Sequence, residues 1–210
     1  DVSDIIVICG CAAVGALAYC FSDTFWFSAV EAEVYAMSSL FTAVVFWAMT
    51  RWYEEAEEPY SGRWIMLICF LMGLSIGVHL LNLLSIPAIV FMYFYRIREN
   101  FRYSLMQLCG IFILSCMILL VILIGIIQFL PKVAAYADLL FVNVFGLPFN
   151  SGAITFIIVL ISGLFFGLFR SMKEGKVVLN TVLLCITTVV IGFSLYATVV
   201  IRANAGTPMN

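Results

Sequence analysis

Charged side chains are scarce in this sequence: Asp, Glu, Lys and Arg together make up 10% of its 210 residues. A soluble domain has about a quarter of its residues charged and about half apolar, whereas here 65% are hydrophobic and the mean hydropathy is +1.16. This scarcity excludes an ordinary soluble domain and predicts an all-α integral membrane protein. The pI of about 5.3 and the lack of a basic stripe exclude nucleic acid as a partner.

Metal-binding patterns and soluble-enzyme motifs are also lacking. There is one histidine, His79, and the seven cysteines all lie inside apolar runs without a zinc-type spacing. We interpret the cysteines as small apolar core residues and expect no disulfides. No P-loop, Gly-x-Ser-x-Gly or metalloprotease helix is present. The candidates for chemistry are therefore the few polar residues inside or beside the apolar runs.

Long apolar runs are what the sequence does have, and a membrane-spanning helix requires about 20 such residues. The runs are Ile5–Phe21, Glu31–Trp52, Trp64–Tyr95, Tyr103–Leu130, Ala153–Phe169 and Val177–Ile201. We predict a transmembrane helical domain over residues 1–202 and the start of an extracytoplasmic segment over 203–210.

The third run is too long for one span. Trp64–Tyr95 contains 32 residues without a formal charge if His79 is neutral, and one helix of that length would measure about 48 Å. The hydrocarbon layer is only about 30 Å thick, and tilting does not easily absorb the excess. We therefore predict a broken helix pair with its turn between His79 and Ser85, and Pro87 in the first turn of the second helix. Counting this pair as two gives about seven transmembrane helices.

The fourth run is predicted to end at Pro131, because proline interrupts a helix. A long loop, residues 132–152, is expected to follow. Within it, residues 134–145 form an amphipathic patch that we expect along the membrane interface.

The loop charges predict the orientation, because cytoplasmic loops carry an excess of Lys and Arg. With the third run split, loops 51–63, 96–102 and 170–176 share one side and hold eight of the ten Lys and Arg residues. Those loops are predicted to be cytoplasmic. The following polar residues then belong to the extracytoplasmic side: Asp23, Glu31, Glu33, His79, Asn82, Asp138, Asn143 and Asn150.

Two carboxylates stand where the second run begins, and a carboxylate at membrane depth is a functional-site candidate. Ser28 and Glu31 have the spacing of a capping box, in which Ser28 would cap a helix and Glu31 would reach back to it. Glu33 has no such role and lies about 200° around the helix from Glu31. Glu33 is therefore the better chemical candidate, and it would need a cation, a metal or hydrogen-bond donors as partners.

The break in the third run carries a second polar group. Ser75, His79 and Asn82 fall at i, i+4 and i+7, which is one face of a continuous helix. A structural role and a functional role remain equally open for His79, and a metal held by His79 and Glu33 together is a weaker alternative.

Two glycine pairs have the small-xxx-small spacing of close helix packing. They are Gly73 with Gly77 and Gly163 with Gly167. Both pairs are predicted to lie at helix–helix contacts.

Two segments are similar to a known family. They are Phe25-Trp-Phe-Ser-Ala-Val-Glu-Ala-Glu-Val-Tyr-Ala-Met37 and Gly73-Leu-Ser-Ile-Gly-Val-His-Leu-Leu-Asn82. Both resemble bacterial membrane proteins related to a vertebrate transmembrane protein O-mannosyltransferase, and the closing Thr207-Pro-Met-Asn210 resembles the same bacterial branch. The family is similar to GT-C glycosyltransferases, which place their site at the extracytoplasmic face.

The resemblance implies a glycosyltransferase that moves a sugar from a polyprenyl-phosphate carrier to an acceptor protein, with Ser or Thr as the expected acceptor. It implies a bacterial inner membrane with the site facing the periplasm. Glu33 and Glu31 would be the catalytic carboxylates, and Glu33 would hold a divalent metal if one is used. The implied substrate-binding residues are His79, Asn82, Ser75, Tyr35 and Trp26.

One departure from the family pattern concerns the principal catalytic Asp, which GT-C enzymes carry in the first extracytoplasmic loop. Asp23 is in poor context for it, so we expect that residue upstream of Asp1 and this chain to be an incomplete enzyme. Two other functions remain open. A transporter or flippase-like bundle would use Glu33 and His79 as proton or substrate groups, and a non-catalytic membrane scaffold would use neither.

Overall fold

The computed structural model describes residues 1–31, 34–98 and 102–196, and these are almost entirely helical, with no strand among them. The α-helices are α1 (Val2–Cys20), α2 (Asp23–Val30), α3 (Tyr35–Glu54), α4 (Gly62–Ile76), α5 (Ile86–Ile97), α6 (Leu105–Leu120), α7 (Leu130–Asn143), α8 (Ser151–Lys173) and α9 (Val177–Ser194). A 3₁₀ turn, Leu80–Ser85, precedes α5, and a π-helical segment, Val121–Phe129, joins α6 to α7. The all-α prediction is confirmed, while the segment predicted for 203–210 lies outside the described residues.

Five helical segments in the described part are long and apolar enough to cross a membrane, which confirms a multi-pass membrane protein. They are Val2–Cys20, Leu80–Ile97, Leu105–Asn143, Ser151–Lys173 and Val177–Ser194. The number becomes six if α2 and α3 form one broken span, and α4 is an apolar helix of only 15 residues. The total of seven stays a prediction.

The predicted break in the third apolar run is confirmed. Helix α4 ends at Ile76, His79 is extended (φ −161°, ψ 141°), and the 3₁₀ turn occupies Leu80–Ser85. Helix α5 then begins at Ile86 with Pro87 in its first turn, where the missing N–H of proline costs nothing. The chain reverses at this point, so α3, α4 and α5 pack side by side around Val45 and Leu83.

The prediction that a helix ends at Pro131 is wrong. The helical segment runs from Leu105 to Asn143 without interruption, so residues 132–143 are helix rather than loop. Proline is tolerated because the π-helical segment comes directly before it. In that segment the Leu130 N–H bonds to the Gly125 carbonyl, five residues back, so the regular i→i−4 pattern that proline interrupts is already absent.

Asp138 joins α7 to the beginning of α8. Its carboxylate accepts hydrogen bonds from the backbone N–H groups of Asn150 (3.2 Å) and Gly152 (3.1 Å). A Cβ on Gly152 would overlap the backbone of Ala137, so only glycine permits this approach. Asp138 thereby supplies the capping acceptor that α8 lacks within its own sequence.

Replacing Asp138 with alanine should lower the free energy of unfolding by about 1 kcal/mol, the usual cost of losing a helix cap. Asp138→Asn should cost less, because its amide keeps one acceptor oxygen. SDS-induced unfolding in mixed micelles measures the difference. Asp23→Ala, an exposed carboxylate without a capping hydrogen bond, is the control. Equal stability of the Asp138 and Asp23 variants would contradict the capping role.

Helices α4 and α9 cross at two glycines. A Cβ on Gly73 would overlap the Val189 carbonyl, and a Cβ on Gly192 would overlap the Phe70 carbonyl. The close approach predicted for Gly73 is therefore confirmed. In the second pair, a Cβ on Gly167 would lie 3.3 Å from the Leu183 side chain of α9, which confirms a helix contact there, whereas nothing in the described part lies within 4 Å of the Gly163 Cβ position, so the prediction is wrong for Gly163.

The loop between α3 and α4 is held by Glu55. Its carboxylate accepts hydrogen bonds from the Trp64 indole and from Arg63, both at 2.8 Å, and pairs with Arg51. The indole and the Arg63 guanidinium hold the pKa of Glu55 below its usual range. This loop therefore has a fixed shape, which positions the adjoining helix ends.

Candidate functional site

The helix break brings together four of the residues that the sequence singles out. Ser75 lies in the last turn of α4, and Tyr35 begins α3. His79 caps the 3₁₀ turn, and Asn82 lies within it. They do not share the face of one continuous helix, as the spacing predicts, because α4 stops at Ile76. The chain reversal instead places Asn82 back against Ser75.

Asn82 is fully buried, and its amide connects three elements. Its Nδ2 donates to Ser75 Oγ (3.1 Å) and approaches Met72 Sδ (3.4 Å), and its Oδ1 accepts from Thr42 Oγ1 (3.1 Å). Buried amides that are satisfied on both sides fix the arrangement around them. Asn82 therefore ties the turn to both α3 and α4.

Two further polar residues, Ser85 and Ser38, complete this cluster. Ser85 Oγ donates to the Asn82 carbonyl (2.6 Å), Thr42 Oγ1 also approaches the Ser38 carbonyl (3.0 Å), and Ser38 is 1% exposed. Within the described residues, Ser38 Oγ has no hydrogen-bond partner. Our sequence reasoning missed Ser38 and Thr42. The available signal was their i, i+4 spacing in an otherwise apolar run, which places both on one face of α3.

His79 lies at the accessible edge of the cluster. Its Nδ1 accepts a hydrogen bond from the Leu81 N–H (3.1 Å), which caps the 3₁₀ turn. This hydrogen-bond pattern assigns the proton of the neutral ring to Nε2. The Tyr35 ring lies 5.3 Å from the imidazole, centroid to centroid, and is itself exposed. His79 therefore presents an N–H donor next to an exposed phenol.

The capping box predicted for Ser28 and Glu31 is wrong. Ser28 lies inside α2, where its hydroxyl donates to the Thr24 carbonyl, and Glu31 follows the last residue of that helix. Glu31 is exposed and stands four residues before Tyr35. Trp26 lies on α2, with its indole stacked on Phe21.

The proposed metal ligand cannot be placed in this geometry. Glu33 lies outside the described residues, and among those described no group of three His, Cys, Asp or Glu is arranged to hold a metal ion. The described donors around the turn are hydroxyls, one amide and one imidazole, which suit hydrogen bonding to a polar ligand. A role for Glu33 toward a metal stays a prediction.

Comparison with known proteins adds a family relationship. Residues 1–102 match the family model described as the protein O-mannosyl-transferase TMEM260 N-terminal domain. The matched part contains α1 to α5 and hence the whole polar cluster. Neither the curated proteins nor the solved structures contain a match. Residues 1–102 of this chain are thus similar to the N-terminal domain of the protein O-mannosyl-transferase TMEM260.

Proposed function

We propose that this chain is part of a membrane glycosyltransferase that transfers a sugar from a polyprenyl-phosphate carrier to a Ser or Thr hydroxyl of an extracytoplasmic protein. The observation that carries the proposal is the match of residues 1–102 to a protein O-mannosyl-transferase domain. The polar cluster lies inside that match, at a helix break between apolar helices. A site at such a break is accessible to a lipid-linked substrate from the bilayer and to an acceptor from water.

His79 is the residue we assign to the carrier phosphate. Its Nε2–H is a hydrogen-bond donor, and its orientation is fixed by the bond between Nδ1 and Leu81. A fixed donor stabilises negative charge as it develops on a leaving phosphate. Asn82 and Ser75 are positioning residues in this proposal, because their polar atoms are already used in holding the turn. Tyr35 would contact the sugar or the phosphate beside His79.

The chemistry is a single displacement. A carboxylate removes the proton from the acceptor hydroxyl, and the oxygen attacks C1 of the sugar. The bond between C1 and the phosphate oxygen breaks, and the carrier phosphate leaves with the electron pair, which inverts the configuration at C1. Glu33 and Glu31 are the carboxylates we propose for this face of the site, in the connection between α2 and α3.

Variants at His79 separate its two roles. His79→Asn keeps a side-chain oxygen that can cap the turn but removes the Nε2–H donor, while His79→Ala removes both. We expect sugar transfer to fall on the order of 100-fold in each, the usual cost of losing one donor to a developing oxyanion, with folding better preserved in His79→Asn. Transfer to acceptor protein in membranes that contain equal amounts of each variant is the measurement.

Glu33→Gln should also abolish glycan on periplasmic acceptor proteins, since an amide cannot take up the proton. Glu58→Gln, an exposed carboxylate in the α3–α4 loop, is the matched control. Unchanged glycosylation in the Glu33 and His79 variants would overturn the proposal.

A broken helix is also typical of transporters, and that function predicts altered solute movement with glycosylation intact.

A further inference from the structure

A large cleft lies at the other end of α3, α4 and α5 from the His79 turn. Its volume is about 930 Å³, and it opens between the α3–α4 loop and the last turn of α5. Trp52 and Tyr93 form one wall, with their rings stacked at 5.1 Å, and Ile65 extends the apolar lining. The apolar lining therefore lies next to the polar α3–α4 loop.

Arg96 projects into this cleft from a fixed position. Its Nε donates to the Tyr53 carbonyl (2.8 Å), and its guanidinium carbon lies 5.5 Å from the centre of the Tyr53 ring. The side chain is only 15% exposed. A guanidinium that is already held in place loses little conformational entropy when it binds an anion. Arg96 is thus a preorganised anion receptor.

An exposed carboxylate is among the groups that contact Arg96. Glu57 Oε1 lies 3.2 Å from Arg96 Nη2, but the Glu57 side chain is 86% exposed. An ion pair in which one partner is this exposed contributes little, so a stronger anion can displace Glu57 into water. Arg98 also lines this cleft.

We propose that this cleft binds the headgroup of an anionic phospholipid, with the phosphate replacing Glu57 on Arg96. A lipid is favoured over a free phosphate because the basic groups flank membrane helices, where anionic lipids concentrate, and because Tyr93 and Ile97 offer exposed apolar surface to acyl chains. The bound lipid would join the α3–α4 loop to α5. The proposal is independent of the glycosyltransferase function.

The test uses the purified full chain with phosphatidylglycerol and phosphatidylcholine as probes, and native mass spectrometry counts the lipids retained. Wild-type protein should retain phosphatidylglycerol in preference to phosphatidylcholine. Arg96→Gln should weaken phosphatidylglycerol binding about tenfold through loss of a charge-assisted hydrogen bond. Glu57→Gln should strengthen it about threefold, because the competing carboxylate is gone.

A second Arg–Glu pair supplies matched controls. Arg170 and Glu174 pair at 2.6 Å on the end of α8, so Arg170→Gln and Glu174→Gln make the same charge changes away from the cleft. If Glu57→Gln binds no more tightly than Glu174→Gln, or if both lipids bind equally to the wild type, the proposal is overturned. The Glu57 variant keeps the test decisive even if Arg96→Gln unfolds through loss of its Tyr53 contact. Equal binding of glycerol 3-phosphate and intact lipid would contradict the choice of a lipid.

Discussion

Replacing Gly73 with leucine should be the most damaging single change in the helical bundle. The side chain would have to enter the space held by the Val189 carbonyl on α9, and backbone atoms cannot move aside as a flexible side chain does. Overpacking of this kind costs about 3 kcal/mol, the upper end of its usual range. We expect α4 and α9 to separate and the folded fraction in detergent to fall sharply, as measured by SDS-induced unfolding in mixed micelles.

Gly163→Leu provides the control for this experiment. It makes the same change in the interior of α8, where nothing in the described part lies within 4 Å of the added atom. It should leave stability almost unchanged, because leucine also forms helix better than glycine. Equal losses at both positions would mean that α4 and α9 do not meet at Gly73.

Asn82→Ala should have the second largest effect, a loss of about 2 kcal/mol in unfolding free energy together with most of the transfer activity. The substitution removes the two hydrogen bonds by which the Asn82 amide links Thr42 to Ser75, and each such hydrogen bond contributes about 0.5 to 1.5 kcal/mol. The measured contribution of a hydrogen bond between membrane helices is at the lower end of this range. The reason for the loss of activity is indirect: the turn that orients His79 is no longer tied to α3.

Two further asparagine variants separate these effects. Asn143→Ala, at the exposed end of α7, should change neither stability nor activity. Asn180→Ala removes a comparable amide, which donates to Ser171 Oγ at 2.9 Å between α8 and α9; it should reduce stability but spare transfer. Normal transfer in a folded Asn82→Ala protein would show that the amide is not needed to position His79.

The sequence predicts well those features of the fold that depend on the length of an apolar run. A run of 32 uncharged residues is too long for one span, and the predicted break between His79 and Ser85 is present. The side-chain pattern could not show how the break closes. Ser75 and Asn82 were expected to align along one helix, whereas they meet because the chain turns back and the Asn82 amide finds Ser75 and Thr42.

The two wrong helix boundaries have local physical reasons. Pro131 would interrupt a regular α-helix, but the change to π-helical hydrogen bonding before it removes the conflict. The residue types in Val121–Phe129 do not predict that change. Ser28 and Glu31 match a capping spacing, yet α2 begins earlier, at Asp23, so Ser28 falls within the helix. A short capping motif predicts the start of a helix wrongly when other residues determine where that helix begins.

The segment from Leu105 to Asn143 has a consequence for the depth of the remaining polar residues. Its 39 residues would measure about 58 Å at 1.5 Å per residue. Even a tilt of about 40° leaves it well above the thickness of a hydrocarbon layer of about 30 Å. One end must therefore stand outside the lipid. If that end is α7, then Asp138 and the beginning of α8 form a helical wall above the membrane surface, where water can solvate the carboxylate.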